Sequence, residues 1–167
     1  MKILFFGDSI TDARRSREED DWTGRGYVSL IAAKFGADCP GKYEFINRGI
    51  SGNRIVDVYA RIKMDITNLR PDYMSILIGI NDVWRQFDSP ALTDICCDLD
   101  EYEANLREMI EKIKDKVKGI FLITPYYIEP NKKDMMRARM DEYCAVCKKL
   151  AKEYGCIFVD FQQMFED

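Results

Sequence analysis

The residues with the most chemical content lie in three short polar segments, each directly after an apolar run. They are Gly7-Asp8-Ser9-Ile10-Thr11-Asp12, Asn47-Arg48-Gly49-Ile50-Ser51-Gly52-Asn53 and Gly79-Ile80-Asn81-Asp82. Ser9 is a candidate nucleophile for acyl transfer, a reaction that needs a hydroxyl, a base to take its proton and donors for the oxyanion formed on attack. Gly7 permits a sharp turn ahead of Ser9, and a helix opening at Ser9 would present that residue's amide as one donor. A glycine such as Gly52 lets a backbone N–H approach a substrate closely, and the Asn81 side chain offers a neutral donor. The same residues have plainer uses. Asp8-Ser9-Ile10-Thr11 is good helix N-cap chemistry, and Gly52 and Asn81 are common turn residues. The base is missing, because the chain contains no histidine. A carboxylate such as Asp8, ordinarily titrating at about 3.9, is mismatched to neutral pH, and no lysine lies near Ser9 in sequence.

Positioning these segments falls to five apolar runs that read as strands: Ile3–Phe6, Tyr43–Ile46, Tyr73–Ile78, Ile120–Thr124 and Cys156–Phe161. Most are continuously apolar rather than alternating, which suits a parallel sheet covered on both faces. Four helical segments lie between them. The clearest places Leu99, Tyr102, Leu106, Met109, Ile110, Ile113 and Val117 on one stripe, with Glu103/Arg107 and Glu108/Lys112 as exposed i,i+4 pairs. The others run from Tyr27 to Phe35, from Ile55 to Leu69 ahead of Pro71, and from Met135 to Tyr154 ahead of Gly155. Strand and helix alternate throughout, which predicts an α/β fold: a three-layer open sheet of five parallel strands with helices on both faces, flavodoxin-like in plan. Such sheets bind ligands at the carboxyl ends of their strands, where all three polar segments fall.

The chain has 167 residues, 47% of them hydrophobic, enough for one buried core, and no linker or repeat divides it; the expectation is a single domain over residues 1–167. It stops seven residues after Asp160, before a further helix could cover the last strand. We therefore expect the final helix to be missing, the domain to be truncated at the C-terminus and the gene to continue past Asp167. An uncovered sheet face also invites self-association. The net charge of −4 gives no basic field for nucleic acid or an anionic membrane. The one basic cluster, Arg14-Arg15-Ser16-Arg17, is followed by Glu18-Glu19-Asp20-Asp21, and the pair of blocks reads as a solvated loop. Neither a secretory leader nor a membrane span is visible, so the protein is expected in the cytoplasm, with its six cysteines as free thiols.

Together the three polar segments resemble the first three sequence blocks of the SGNH (GDSL) hydrolases, within a subgroup of carbohydrate esterases. Gly26-Tyr27-Val28, Ile80-Asn81-Asp82-Val83-Trp84-Arg85 and Thr124-Pro125-Tyr126 extend the likeness over nearly the whole chain. The resemblance implies that Ser9 is the nucleophile, that the Ser9 amide, the Gly52 amide and the Asn81 side chain form the oxyanion hole, and that Gly7, Asp8, Gly79 and Asp82 support them. It implies hydrolysis of short acyl esters through an acyl-enzyme, acetylated sugars among the substrates, with no cofactor and no metal. The family's last block, Asp-x-x-His, which supplies triad acid and base, has no counterpart. Asp160 is followed three positions on by Gln163, and reads as a strand-end cap. The chain as it stands is therefore expected to be nearly inactive.

Trp22, Trp84, Arg85, Phe87, Tyr126 and Tyr127 fall in or near loops at the same end of the sheet. Trp22, Trp84, Arg85 and Tyr126 are candidates for a substrate rim that stacks on a sugar ring, with buried loop anchors as the plainer reading. The segment from Thr11 to Thr23 would border Ser9 as a rim. Cys144-Ala145-Val146-Cys147 sits on the apolar stripe of its helix and reads as core rather than a redox or zinc site. Two other functions fit less well. One is a binding module that kept the pocket and lost the base; the other, a phospho-ligand protein, lacks a phosphate loop after the first strand.

Overall fold

The computed structural model of the chain describes residues 1–19, 22–88 and 96–166. Its frame is five parallel strands, β1 (Lys2–Gly7), β2 (Glu44–Gly49), β3 (Tyr73–Leu77), β4 (Gly119–Ile123) and β5 (Ile157–Val159), in the order β2-β1-β3-β4-β5. The connecting helices are α1 (Ser9–Asp12), α2 (Tyr27–Asp38), α3 (Ile55–Ala60), α4 (Ile80–Asp88), α5 (Leu99–Ile113), α6 (Met135–Tyr154) and α7 (Phe161–Met164). This is the predicted three-layer α/β plan. Asp20, Asp21 and Asp167 of the sequence reading lie outside the described residues.

Alternation along each strand sends one set of side chains to each face. Leu4 and Phe6 of β1, Met74 and Ile76 of β3 and Ile120 and Leu122 of β4 point into the main core, which α3, α5 and α6 close with Val58, Leu106, Ile110, Tyr143 and Leu150. Tyr102 and Tyr143 are fully buried there, their rings 4.6 Å apart, and each hydroxyl donates to a carbonyl, of Ile78 and of Cys97. Cys147 is buried against the Tyr102 hydroxyl and all six cysteines are free, as the core reading of the Cys-x-x-Cys pair predicts. The opposite face carries α2. Beside it an apolar groove with a cavity of about 280 Å³ is lined by residues such as Phe5, Ile31, Phe45, Ser75, Phe121 and Phe161.

Four differences from the sequence reading have physical causes. β2 extends through Asn47 and Gly49, because these residues stay in register with β1 up to Gly7. The helix expected from Ile55 to Leu69 stops at Ala60 and resumes as a π-helical turn over Lys63–Thr67. The break falls at Arg61, whose guanidinium reaches back to the carbonyls of Arg48 and Gly7. Ile80–Asp88 forms a helix where loop was expected, so Trp84, Arg85 and Phe87 are helical residues. The fifth strand ends at Val159, and Asp160 caps α7 through Gln163 N–H, which leaves Phe161 helical.

The register makes the carboxyl ends of the strands level. Gly7 lies opposite Gly49 on one side and Leu77 on the other, Leu77 opposite Ile123, and Ile123 opposite Val159. Gly7 does not hold a positive φ, so turn geometry is not what demands glycine there. Space is: a Cβ would stand 2.2 Å from the Leu77 carbonyl oxygen and 2.6 Å from Thr11 Oγ1. Neither strand can retreat without losing its ladder. Gly7→Ala is therefore expected to destabilise the fold by at least about 3 kcal/mol, the range of severe steric substitutions, read as a lowered midpoint in urea unfolding.

Candidate active site

Ser9 opens α1 and is exposed. The N-cap is Asp8, whose Oδ1 accepts from Ile10 N–H at 2.9 Å, so capping is not the use of the Ser9 hydroxyl. The turn carrying Gly52 follows β2. Ile50 N–H donates to the Gly7 carbonyl at 3.0 Å, and Asn53 N–H closes the turn on the Ile50 carbonyl at 3.2 Å. Gly52 has φ +84° with nothing within 4 Å of a hypothetical Cβ, so here conformation rather than space requires glycine. Asn81 is the second residue of α4, and its Nδ2 donates to the Asn53 carbonyl at 2.9 Å.

The three predicted donors thus come from the ends of β1, β2 and β3, neighbouring strands at the point where strand order reverses. Hydrogen bonds on both sides of Gly52 hold its turn to the other two elements. On the α1 side, Asp12 Oδ2 accepts from Ser51 N–H and Ser51 Oγ, each at 2.9 Å, and from Arg17 at 2.7 Å. On the α4 side, besides Asn81, the Asp82 carboxylate accepts Ile55 N–H at 3.0 Å and so caps α3 from outside. Arg61 donates to Asn53 Oδ1 at 2.8 Å and lies 4.5 Å above the Phe6 ring. Asn47, buried, donates to the carbonyls of Thr11 and Thr23 and accepts Gly49 N–H.

Among the predicted supporting residues, Gly79 adopts φ +133°, and a Cβ there would stand 3.0 Å from Pro125 Cγ. Asp8 and Asp82 are both fully buried. Burial pushes the Asp8 carboxyl up to about 7, and the charge of Asp82 adds to the effect. Burial also raises Asp82 to about 7, against the pull of the Ile55 N–H and the Cys97 thiol. The charged loop is solvated at Arg14, Arg17, Glu18 and Glu19, but it is also anchored: Arg15 and Arg17 both donate to the Gly49 carbonyl.

The rim candidates are dispersed. Trp22 and Trp84 are about half exposed, and Arg85 is committed, its guanidinium 5.0 Å over the Trp84 ring and 2.6 Å from Asp88. Tyr126 stacks on Phe165 at 4.4 Å, and burial, with the charge of Asp8 adding to it, pushes its hydroxyl above the usual phenol range. No ring contact joins Trp22, Trp84 and Tyr126 among the described residues. Two residues after Trp84, Gln86 donates to the Tyr143 hydroxyl and the Cys97 carbonyl and accepts from Arg139, knotting α4 to α6. Sequence reasoning assigned no part to Asp12, Asn47, Asn53 or Arg61. Asp12 and both asparagines sat inside the flagged segments, but the bonds that join the turns, Asp12 to Ser51, Asn47 to Thr11 and Asn53 to Asn81, run between residues far apart in sequence.

A sequence profile of the GDSL-like lipase/acylhydrolase family matches residues 5–167. The chain is 46% identical over 171 residues to the acetylxylan esterase of Geobacillus stearothermophilus, covering 99% of this chain and 78% of that one. It is 24% identical to the isoamyl acetate-hydrolyzing esterase 1 homolog of Rattus norvegicus, with 99% and 68% covered. The crystal structure of the Geobacillus enzyme matches with a TM-score of 0.96. Catalytic mutants of that enzyme, with a serine, an aspartate or a histidine replaced by alanine, match equally well. An alpha/beta hydrolase enzyme from the metagenome of Lake Arreo is 44% identical, also at 0.96, covering 99% of this chain and 78% of that one.

The two buried acids give the fold a pH signature. Unfolded, they release their protons near pH 4; folded, they hold them up to about 7. Stability is therefore full below pH 4 as far as these groups act, and is lost as pH rises from there through 7. Melting is expected several degrees lower at pH 7.5 than at pH 5, and Asp82→Asn, which keeps an acceptor for Ile55 N–H, should flatten that slope in calorimetry.

Proposed function

The chain belongs to the GDSL-like lipase/acylhydrolase family, and we propose that it is a serine esterase acting on short acyl esters, foremost acetylated carbohydrates, through Ser9. In this reading Ser9 Oγ attacks the acyl carbonyl carbon, and the carbonyl oxygen, now an oxyanion, is received by the Ser9 and Gly52 amides and the Asn81 amide group. Asn81 Nδ2 carries two hydrogens; one is spent on Asn53, which leaves the other for substrate. Collapse expels the alcohol and leaves an acyl-serine for water to cleave. The observation that carries the proposal is the Gly52 turn, fastened on one side to the helix of Ser9 and on the other to the helix of Asn81.

Both named relatives are called after acetyl esters, which supports a short acyl group, and acetylxylan supports a sugar alcohol. Trp22, Trp84 and Tyr126 are the proposed sugar-contacting rings, with Arg85 holding the Trp84 plane. Gly7, Asp8, Gly79 and Asp82 shape the backbone around them. We read residues 1–167 as one domain, which the single sheet and continuous core support. Among the described residues no helix is long and apolar enough to cross a membrane, and the free thiols support a cytoplasmic location.

Without histidine the first proton has no resident acceptor. Loss of a triad histidine lowers kcat on the order of 10⁶-fold, while an oxyanion hole and binding site keep roughly 10³–10⁴ over water. The missing base also favours a second reading, a binding module that retains the pocket without turnover.

Labelling separates the two. A fluorophosphonate forms a P–O bond to Ser9 as the P–F bond breaks, and imidazole supplied in solution takes the hydroxyl proton while fluoride leaves. We expect imidazole to raise the rate of adduct formation on the Ser9 peptide by about tenfold or more, measured by mass spectrometry, with none in Ser9→Ala. Labelling indifferent to imidazole, or absent from Ser9, favours the binding module. The apolar groove beside α2 further supports self-association. Sedimentation velocity should show a species heavier than one chain that Ile31→Glu dissociates.

A further inference from the structure

Resting on the reading of Gly52 as an oxyanion donor, we infer that Asp12 is a positioning residue that sets the direction of the Gly52 amide. Asp12 ends α1, three residues after Ser9, and is only 4% exposed. One oxygen of its carboxylate, Oδ2, gathers the Ser51 amide, the Ser51 hydroxyl and the Arg17 guanidinium within 2.9 Å. The first bond fixes the peptide plane before Ser51, and the second fixes the Ser51 side chain against the same atom. The peptide that follows, whose nitrogen is Gly52 N, then has little freedom left.

Beyond Gly52 the chain is held again, through the Asn53 carbonyl by Asn81 and through the Asn53 side chain by Arg61, which also donates to the Gly7 carbonyl. Residues on both sides of Gly52 are bound, and its own N–H donates to no described residue. A charged acceptor suits this task, because hydrogen bonds to an ionised group are shorter and stronger than neutral ones. Burial works against the charge on Asp12, but the Ser51 donors and Arg17 outweigh it and hold the carboxyl below its usual range. Asp12 touches neither substrate nor Ser9 Oγ in this scheme; it acts through Ser51.

The test is saturation kinetics of fluorophosphonate labelling at fixed imidazole, which separates the binding constant KI from the limiting rate kinact. Donors to the developing phosphoryl anion contribute to kinact. Asp12→Asn is expected to lower kinact about 10- to 100-fold with KI within twofold, the upper end approaching loss of a whole oxyanion donor. Ser51→Ala, which keeps the amide bond, should lower kinact less. Asn81→Ala serves as the reference for a direct donor. If the parent labels Ser9 and Asn81→Ala slows it while Asp12→Asn keeps the parental kinact, the positioning role is overturned and the oxyanion reading stands. If the parent does not label Ser9, the reading falls and this inference with it. Should Asp12→Asn not fold, Ser51→Ala and Arg17→Gln each remove one bond from the same oxygen, and an unchanged kinact in both overturns the proposal.

Discussion

Everything at the candidate site depends on how closely β1 can lie against β3. Only a residue without a side chain fits between the Leu77 carbonyl and Thr11, and Gly7 is that residue. Because Gly7 is level with Gly49 and Leu77, the chain leaves three adjacent strands at one height. The turns that follow them are then close enough for single hydrogen bonds to join one to the next. Asp12 to Ser51, Asn81 to Asn53 and Asp82 to Ile55 are all of this kind.

The price of that arrangement is burial of charge. Asp8 and Asp82 are both removed from water and near enough to feel each other. Asp82 is compensated by Ile55 N–H, whereas Asp8 uses one oxygen as a cap and leaves its other oxygen without a partner among the described residues. An unsatisfied buried carboxylate oxygen is a destabilising feature in any fold. Asp12 is the contrary case: a carboxylate almost as buried, yet supplied with three donors, one of them a guanidinium. Neighbouring turns of one chain thus place acids in opposite electrostatic settings, set by the donors each can reach.

Much of this was legible in the chain itself. Continuous apolar runs marked β1, β3 and β4, and α6 ran from Met135 to Tyr154 as its periodicity and Gly155 required, that glycine taking the left-handed cap at φ 66°. What periodicity could not show was α4. Its first turn, Ile80-Asn81-Asp82, is polar and reads as loop, but Asn81 and Asp82 are buried because their bonds run to Asn53 and Ile55, nearly thirty residues earlier. The same limit hid Asp12 and Arg61. Their types were visible, but their partners depend on which strands become neighbours, and that is a property of the assembled sheet. The anchoring of the charged loop was hidden for a related reason: Arg15 and Arg17 find the Gly49 carbonyl only once β2 stands beside β1.

Gln86 carries this logic outward. It holds α4 to Tyr143 and Arg139 of α6, five residues along the same helix from Asn81. A short helix gripped at both ends is held as a unit, so Tyr143 and Arg139 help fix the orientation of the helix that carries Asn81. Residues on α6 thereby share in placing a group that their own bonds do not reach.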